Sequence, residues 1–351
     1  MNPRSVGLPD LGAFDLVIDA RSPAEYALDH LPGAVNCPVL DDDERRIVGT
    51  LYVQVSAFEA RKVGGAMVAR NIARHLESAV FKDQPKHWKP LIYCWRGGQR
   101  SGSFTEWLRQ VGWDAQQLQG GYKRWRGHVI TRLETLMPTL DLRVLTGATG
   151  SAKTRVLHAL AALGEQTIDL EQLAGHRGSV LGSVPGIEQP SQKRFETLLV
   201  ERLEAIDPAR PVFVEAESRR IGRIAVPDSV LEPLRAGRCI EIDATLPARL
   251  AYLLRDYAFL GDDGPALAAK LGQLKGLQSN ETLQRWQQWA HAGALAPLFE
   301  ELMTLHYDPL YARSQSQNYR QRDDATRFDC DDLGEAGIAA LARRIVGDLG
   351  R

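Results

Sequence analysis

Cysteine is scarce in this chain. There are four in 351 residues (Cys37, Cys94, Cys239 and Cys330), far apart and with no C-x-x-C pair. That excludes a disulfide framework and a cysteine zinc site, and it fits a reduced, cytoplasmic setting. No apolar run reaches membrane-spanning length, and the N-terminus lacks a basic-then-apolar leader, so neither a membrane segment nor secretion is expected. Charge excess is missing too: 43 basic against 44 acidic residues leave a formal net charge of -1. Any affinity for nucleic acid must therefore come from local patches. There is no internal repeat and no low-complexity tract. What is present is ordinary for a folded protein: 44% hydrophobic and 25% charged residues. At this length two domains are the natural expectation.

The most informative stretch is Tyr93-Cys94-Trp95-Arg96-Gly97-Gly98-Gln99-Arg100-Ser101. Leu91–Tyr93 reads as a short buried strand and Ser101 to Gly112 as the following helix. A cysteine between a strand end and a helix N-terminus sits among backbone N–H groups and the positive end of the helix dipole. Arg96 and Arg100 add positive charge, so Cys94 is expected to be a nucleophilic thiolate. Gly97 and Gly98 let the backbone close around an anion. The loop resembles that of the rhodanese family, which carries sulfur or selenium on one cysteine. The Cys-x5-Arg spacing from Cys94 to Arg100 also fits a phosphatase loop.

The flanking chain decides between them. Phe14–Asp19 reads as a strand, and Ser22, Pro23 and Glu25 form a helix-start signature. The run Asp19-Ala-Arg-Ser-Pro-Ala-Glu-Tyr, with His30-Leu-Pro-Gly-Ala and Asn36 after it, is similar to the first rhodanese signature. Asp19 and Arg21 are expected to form a buried ion pair supporting the Cys94 loop, and His30 to be a satisfied turn histidine. Asp41–Glu44 is an acidic, solvated run. Residues 57–79 read as helix interrupted at Gly64-Gly65. Gly120-Gly121 followed by Trp125 resembles the closing rhodanese signature. Three signatures in order set the phosphatase reading aside. Lys123, Arg124, Arg126 and Arg132, with Tyr122 and Trp125 among them, either contact RNA phosphates and bases or form an amphipathic helix with its tryptophan turned inward.

A helix around 128–137 is expected to end at a linker, Met137-Pro138, after which Leu142–Thr146 reads as a strand running into Gly147-Ala148-Thr149-Gly150-Ser151-Ala152-Lys153-Thr154 and then a helix. Strand, glycine loop, Lys-Thr and helix is the context of a phosphate-binding P-loop. Its N–H groups and Lys153 hold linked phosphates, and Thr154 can ligate Mg²⁺. Ala152 stands where the usual pattern has its second glycine. If that position needs positive φ, alanine costs roughly 1 kcal/mol, which argues against ordinary nucleoside triphosphate use. Downstream, Pro211–Glu217 is an apolar strand ending in Glu215, Glu217, Arg219 and Arg220. With His176, Arg177, Ser179, Gln192 and Lys193, these are expected to line the second site. Arg238–Asp243 and Arg327–Cys330 read as strands, 246–315 as mostly helix with Trp286 and Trp289 in its core, and 334–347 as a closing helix. Arg313, Arg320 and Arg322 lie in an acid-free segment suited to RNA phosphates or to plain solvation.

The expected fold class is α/β, with a rhodanese-like domain over 1–137 and a P-loop NTPase-like parallel α/β domain with helical additions over 138–351. This order of domains resembles the tRNA 2-selenouridine synthase family. So do the Cys-Trp-Arg-Gly-Gly-Gln-Arg-Ser loop, the Gly-Ala-Thr-Gly-Ser-Ala-Lys-Thr loop, the His-Arg-Gly-Ser turn and the Glu-Ala-Glu-Ser-Arg-Arg-Ile-Gly strand end. The resemblance implies geranylation of the wobble 2-thiouridine of lysine, glutamate and glutamine tRNAs with geranyl diphosphate. Replacement of the geranylthio group by selenium from selenophosphate would follow, with Cys94 as carrier. It implies no tightly bound cofactor, Mg²⁺ as an optional ion, and the selenophosphate-producing enzyme as a possible partner. A rhodanese-fused kinase, ATPase or sulfurtransferase, and a non-catalytic RNA-binding module, remain open on sequence alone.

Overall fold

A computed structural model of the chain describes residues 5–179, 181–182 and 186–349. It divides into two compact units, residues 1–132 with 190–201 and residues 133–189 with 202–351. Each is built on its own parallel sheet.

The first sheet contains β1 (Ser5–Val6), β2 (Leu16–Asp19), β3 (Val35–Asn36), β4 (Pro90–Tyr93) and β5 (Gln116–Leu118). Their spatial order is β1-β5-β4-β2-β3, all parallel. Parallel strands covered on both faces need apolar side chains throughout, and all four residues of β4 are buried. β2 and β4 are neighbours in a register that pairs Asp19 with Tyr93. Asp19 and Cys94 therefore leave the sheet close together at its C-terminal edge, between strands whose connections diverge. That is where open α/β sheets hold their ligands. The core around β2 and β4 contains Ile18, Ile72, Phe81, Trp88, Ile92 and Phe104.

Two expectations are corrected in this unit. Residues Ala57–Leu76 form one continuous helix rather than one interrupted at Gly64-Gly65. Gly64 is buried, and a Cβ there would meet Val48 Cγ2 at 3.1 Å. The glycine thus lets this helix approach the helix Asp42–Gln54 rather than breaking it. The helix expected near 128 begins instead at Gly121 and runs to Leu136.

The second sheet is formed from β6 (Leu142–Thr146), β7 (Gln166–Ile168), β8 (Val212–Glu215), β11 (Arg238–Ala244) and β12 (Thr326–Cys330). Their order is β12-β11-β6-β8-β7, again all parallel. Between β8 and β11 in sequence, β9 (Arg220–Ile221) and β10 (Ile224–Ala225) make a small antiparallel hairpin. β6 is central, paired with β8 on one side and β11 on the other, so the glycine loop after β6 emerges at this sheet's switch point. The register sets Glu215 beside Leu145, next to the start of that loop. The helices between residues 246 and 307 build their own apolar cluster around Trp286, which has no exposed surface. Among the described residues no helix is long and apolar enough to cross a membrane.

Candidate functional site

The cysteine loop is shaped by glycine. Gly121 has φ +55°, and a Cβ there would lie 2.2 Å from the Cys94 carbonyl oxygen; a Cβ on Gly97 would lie 2.8 Å from the Leu118 carbonyl. Only hydrogen at both positions lets residues 94–98 nest against 118–122. The nest is closed by the Tyr122 N–H donating to the Cys94 carbonyl at 2.8 Å and the Lys123 N–H to the Trp95 carbonyl at 2.9 Å. Cys94 lies at its floor, 3% exposed. The Ser101 hydroxyl donates to its Sγ at 3.1 Å, and Gln117 Nε2 donates to the Ser101 hydroxyl at 2.8 Å. The helix Gln99–Val111 starts after Gly98 with no side chain capping its first amides, which leaves that end suited to an anion.

The two loop arginines differ from the sequence expectation. Arg100 is turned to Glu25, donating at 2.6 and 3.2 Å. Burial alone would push the Glu25 carboxyl up, but Arg100, the Ser22 N–H and Arg45 together hold it below the usual range. Arg96 is exposed. The group that contacts the sulfur is thus a serine hydroxyl rather than a guanidinium.

Beneath the loop, Asp19 and Arg21 form the buried ion pair that their spacing implied, both almost without exposed surface. Arg21 Nη2 donates to Asp19 Oδ2 at 2.5 Å and to the Asp29 carbonyl at 2.6 Å. The Tyr93 hydroxyl donates to Asp19 Oδ2 at 2.6 Å, which ties the residue before Cys94 to the pair. The Arg21 guanidinium stacks 4.0 Å over the Tyr122 ring, and the Tyr122 hydroxyl donates to Asp29. His30 is a satisfied turn residue, stacked on Tyr26 with centroids 3.9 Å apart and bonded to the Tyr26 carbonyl.

The second unit carries the anion cradle. Gly147, Gly150 and Ala152 all have positive φ, at +146°, +81° and +55°. Ala152 is the non-glycine residue in that region, so the loop keeps its curled form despite the missing glycine. Lys153 Nζ donates to the Gly147 carbonyl at 3.0 Å and lies 4.6 Å from the Tyr311 ring centroid. Burial lowers its pKa, against the raising influence of Glu215, Glu171 and Glu217. Arg249, which sequence reasoning did not single out, braces the loop by donating to the Thr149 carbonyl at 3.0 Å, and Asp308 anchors it.

Three carboxylates face this lysine. The Thr154 hydroxyl donates to Glu215 Oε2 at 2.9 Å and lies 3.3 Å from Glu171 Oε2. Burial and mutual repulsion push Glu171 and Glu217 each up to about 8 and raise Glu215 as well. Among the described residues no group of three or more His, Cys, Asp or Glu is arranged to hold a metal ion. The oxygens of Thr154 and Glu215 are nevertheless of the hard type that Mg²⁺ takes, and Glu215 Oε1 has no hydrogen-bond partner among the described residues. These two side chains would hold Mg²⁺ once a bound phosphate and water completed its shell.

These groups line a cavity of about 610 Å³. The glycine loop from Thr149, Glu171, His176, Arg177, Ser179, Glu215 and Glu217 face it. Arg177 is held by Asp256 at 2.8 Å and stacks over the Tyr257 ring. Apolar and aromatic side chains also line it, among them Leu181, Leu253, Tyr257, Phe299, Leu302, Met303 and Tyr307. Four expected lining residues are elsewhere. Gln192 and Lys193 belong to the first unit, where Lys193 Nζ lies 6.0 Å from the Trp95 ring. Arg219 is exposed and paired with Asp228, and Arg220 is exposed on β9, because the chain turns into the β9–β10 hairpin just past Glu217.

The comparisons with known proteins cover both units. Residues 8–128 match the rhodanese-like domain family, and residues 140–279 match the tRNA 2-selenouridine synthase AAA domain family. The tRNA 2-selenouridine synthase of Nitrosomonas europaea is 35% identical over 86% of this chain and 81% of its own. That of Bdellovibrio bacteriovorus is 36% identical over 72% of this chain and 67% of its own, and that of Alcanivorax borkumensis 32% identical over 84% and 88%. The chain belongs to the tRNA 2-selenouridine synthase family. Its first unit is a rhodanese-like fold and its second a P-loop-like fold.

The basic residues considered for RNA contact are for the most part engaged within this family fold. Arg126 pairs with Glu196, Arg320 with Glu232 at 2.9 Å, and Arg322 lies 3.8 Å from Glu241. Arg124 donates to Gln119, and Arg132 and Arg313 also have partners. Lys123 is exposed. Tyr122 and Trp125 are buried at 1% and 4% exposure, so the inward-facing amphipathic helix describes them and base stacking does not. The apolar half of the cavity was invisible in the sequence. Its residues come from helices far along the chain, and nothing in their local pattern separates a cavity wall from a core.

Proposed function

We propose that this chain converts the wobble 2-thiouridine of lysine, glutamate and glutamine tRNAs to 2-selenouridine through an S-geranyl intermediate, using geranyl diphosphate and selenophosphate. The observation that carries the reading is one cavity lined both by the anion cradle and by a set of apolar and aromatic side chains. That combination suits a diphosphate on a hydrocarbon chain. The related synthases, similar over most of the chain, support the tRNA and selenium part of the reading.

The chemistry follows from the groups. A thione sulfur is a good nucleophile but a poor leaving group, and alkylation allows it to depart as a thiol. The sulfur attacks C1 of geranyl diphosphate, an S–C bond forms, the C1–O bond breaks and diphosphate leaves. The loop N–H groups, the helix N-terminus and Lys153 stabilise the charge that develops on it. The base loses its N3 proton in the same step. Selenophosphate then adds through selenium at C2, the C2–S bond breaks and geranyl thiolate departs, taking a proton from solvent. Water then cleaves the P–Se bond, releasing inorganic phosphate and returning a proton to N3 of the 2-selenouridine. The Cys94 nest is the second anion site, and its sulfur is the group that handles selenium. Cys94 is 3% exposed, so the donor must enter the loop nest to bring its selenium to the sulfur.

The test uses a 2-thiouridine anticodon stem-loop RNA with both co-substrates and mass spectrometry of the nucleosides. Cys94→Ala is expected to accumulate S-geranyl-2-thiouridine without selenouridine, and Lys153→Ala to form neither. If Cys94→Ala abolishes geranylation as well, the division of labour is wrong. Turnover of ATP or GTP by the chain alone would favour the kinase or ATPase reading instead.

A further inference from the structure

The cradle fixes the diphosphate end of a prenyl substrate, so the length of chain that fits is decided by the apolar wall of the cavity. That wall comes largely from one helical face. Phe299, Leu302, Met303 and Tyr307 all line the cavity and stand at i, i+3, i+4 and i+8, the spacing of a single stripe. Phe299, Leu302 and Met303 are 4%, 2% and 1% exposed, so this part of the lining is buried. Phe299 and Leu302 are also part of the cluster around Trp286, so solid core lies behind them.

The backbone here is unusual. Leu302–Tyr307 is a π-helical turn within an otherwise α-helical run. Such turns are rare and recur where a helix has been re-aimed at a functional site. Met303 is also one of only four methionines in the chain. An unbranched thioether adapts its shape to whatever fills the space beside it.

We propose that the Phe299–Tyr307 face, with Met303 at its centre, is the stop that sets how many isoprene units the cavity accepts. The inference rests on the reading of the cavity as a prenyl diphosphate site. It adds that chain length is selected by side-chain bulk at one position and not by the cradle. One methylene in an apolar pocket changes discrimination by roughly 10–200-fold, so a whole isoprene unit gives a readily measured signal.

The experiment is a competition on the full chain, with thiouridine stem-loop RNA and equal dimethylallyl, geranyl and farnesyl diphosphate. Mass spectrometry reads the ratio of S-prenyl products. Met303→Ala is expected to raise the farnesyl-to-geranyl ratio at least tenfold. Met303→Phe, which keeps the core filled if the alanine variant does not fold, is expected to raise the dimethylallyl-to-geranyl ratio at least tenfold. If wild type geranylates and a folded variant leaves these ratios within twofold, the stop lies elsewhere and the proposed function stands. If wild type transfers no prenyl group from any donor, both the stop and the proposed function fall.

Discussion

Arg21→Met removes the cation of the buried ion pair beneath the Cys94 loop. Arg21 is buried at 1% exposure with its guanidinium against Asp19, which has none. Methionine of similar length keeps the packing against Tyr122 and removes the charge. Asp19 would then be a buried carboxylate without its cation, and breaking a buried pair in this way costs about 3–5 kcal/mol. The low end applies here, because the Tyr93 hydroxyl and the residue-21 backbone N–H, at 2.6 and 2.9 Å, still donate to Asp19. For a unit of this size about 3 kcal/mol lowers Tm by roughly 6–12 °C. Trp88, Trp95, Trp107, Trp113 and Trp125, five of the seven tryptophans, lie in the first unit. Tryptophan fluorescence during thermal unfolding therefore reports mainly on it. Asp19→Asn/Arg21→Met should recover part of the loss, since the stranded charge is gone. A single-variant shift under about 2 °C, or a double variant worse than the single, would refute the view that charge compensation holds this loop in place.

Three other outcomes follow from the geometry. Gly121→Ala places a Cβ 2.2 Å from the Cys94 carbonyl at a left-handed residue, so selenouridine formation should be lost while S-geranylation persists, read by nucleoside mass spectrometry. Ala152→Gly relieves about 1–2 kcal/mol of left-handed strain but gives up about 0.8 kcal/mol of methyl burial and about 0.4–1 kcal/mol through the looser unfolded chain. Its net effect on thermal stability should be under about 1 kcal/mol, whereas the β-branched Ala152→Val should cost more than about 2 kcal/mol. Glu25 titrates below its ordinary value of 4.5 because Arg100 outweighs burial. The folded state therefore binds fewer protons than the unfolded one just below that pH. The pair's contribution is present above pH 4.5 and is lost as pH falls through the folded-state value. Glu25→Gln should remove about 1 kcal/mol at pH 7 and flatten the acid limb of the stability profile.

The local chemistry of this protein was legible in its sequence. Strands β4 and β6, the glycine loops after them and the helices they feed are encoded by neighbouring residues, and short-range sterics fix them. The Asp19–Arg21 pair, and the cost of alanine at position 152 if its φ were positive, could be stated before any coordinates, because each concerns residues a few positions apart; the positive φ itself came from the structure. Gly64 shows the limit of that reasoning. A glycine breaks a helix in isolation, yet here it admits Val48 from a neighbouring helix, and only packing reveals the difference.

Tertiary structure alone decided which charges meet. It turned Arg100 to Glu25 and away from the sulfur, assigned Gln192 and Lys193 to the first unit, and carried Arg219 and Arg220 off on a hairpin. It also brought Phe299, Leu302, Met303 and Tyr307, some 150 positions further along the chain, to the same cavity as the glycine loop. Hydrophobic burial is non-directional, so a sequence can declare that Met303 will be covered without declaring what it will cover.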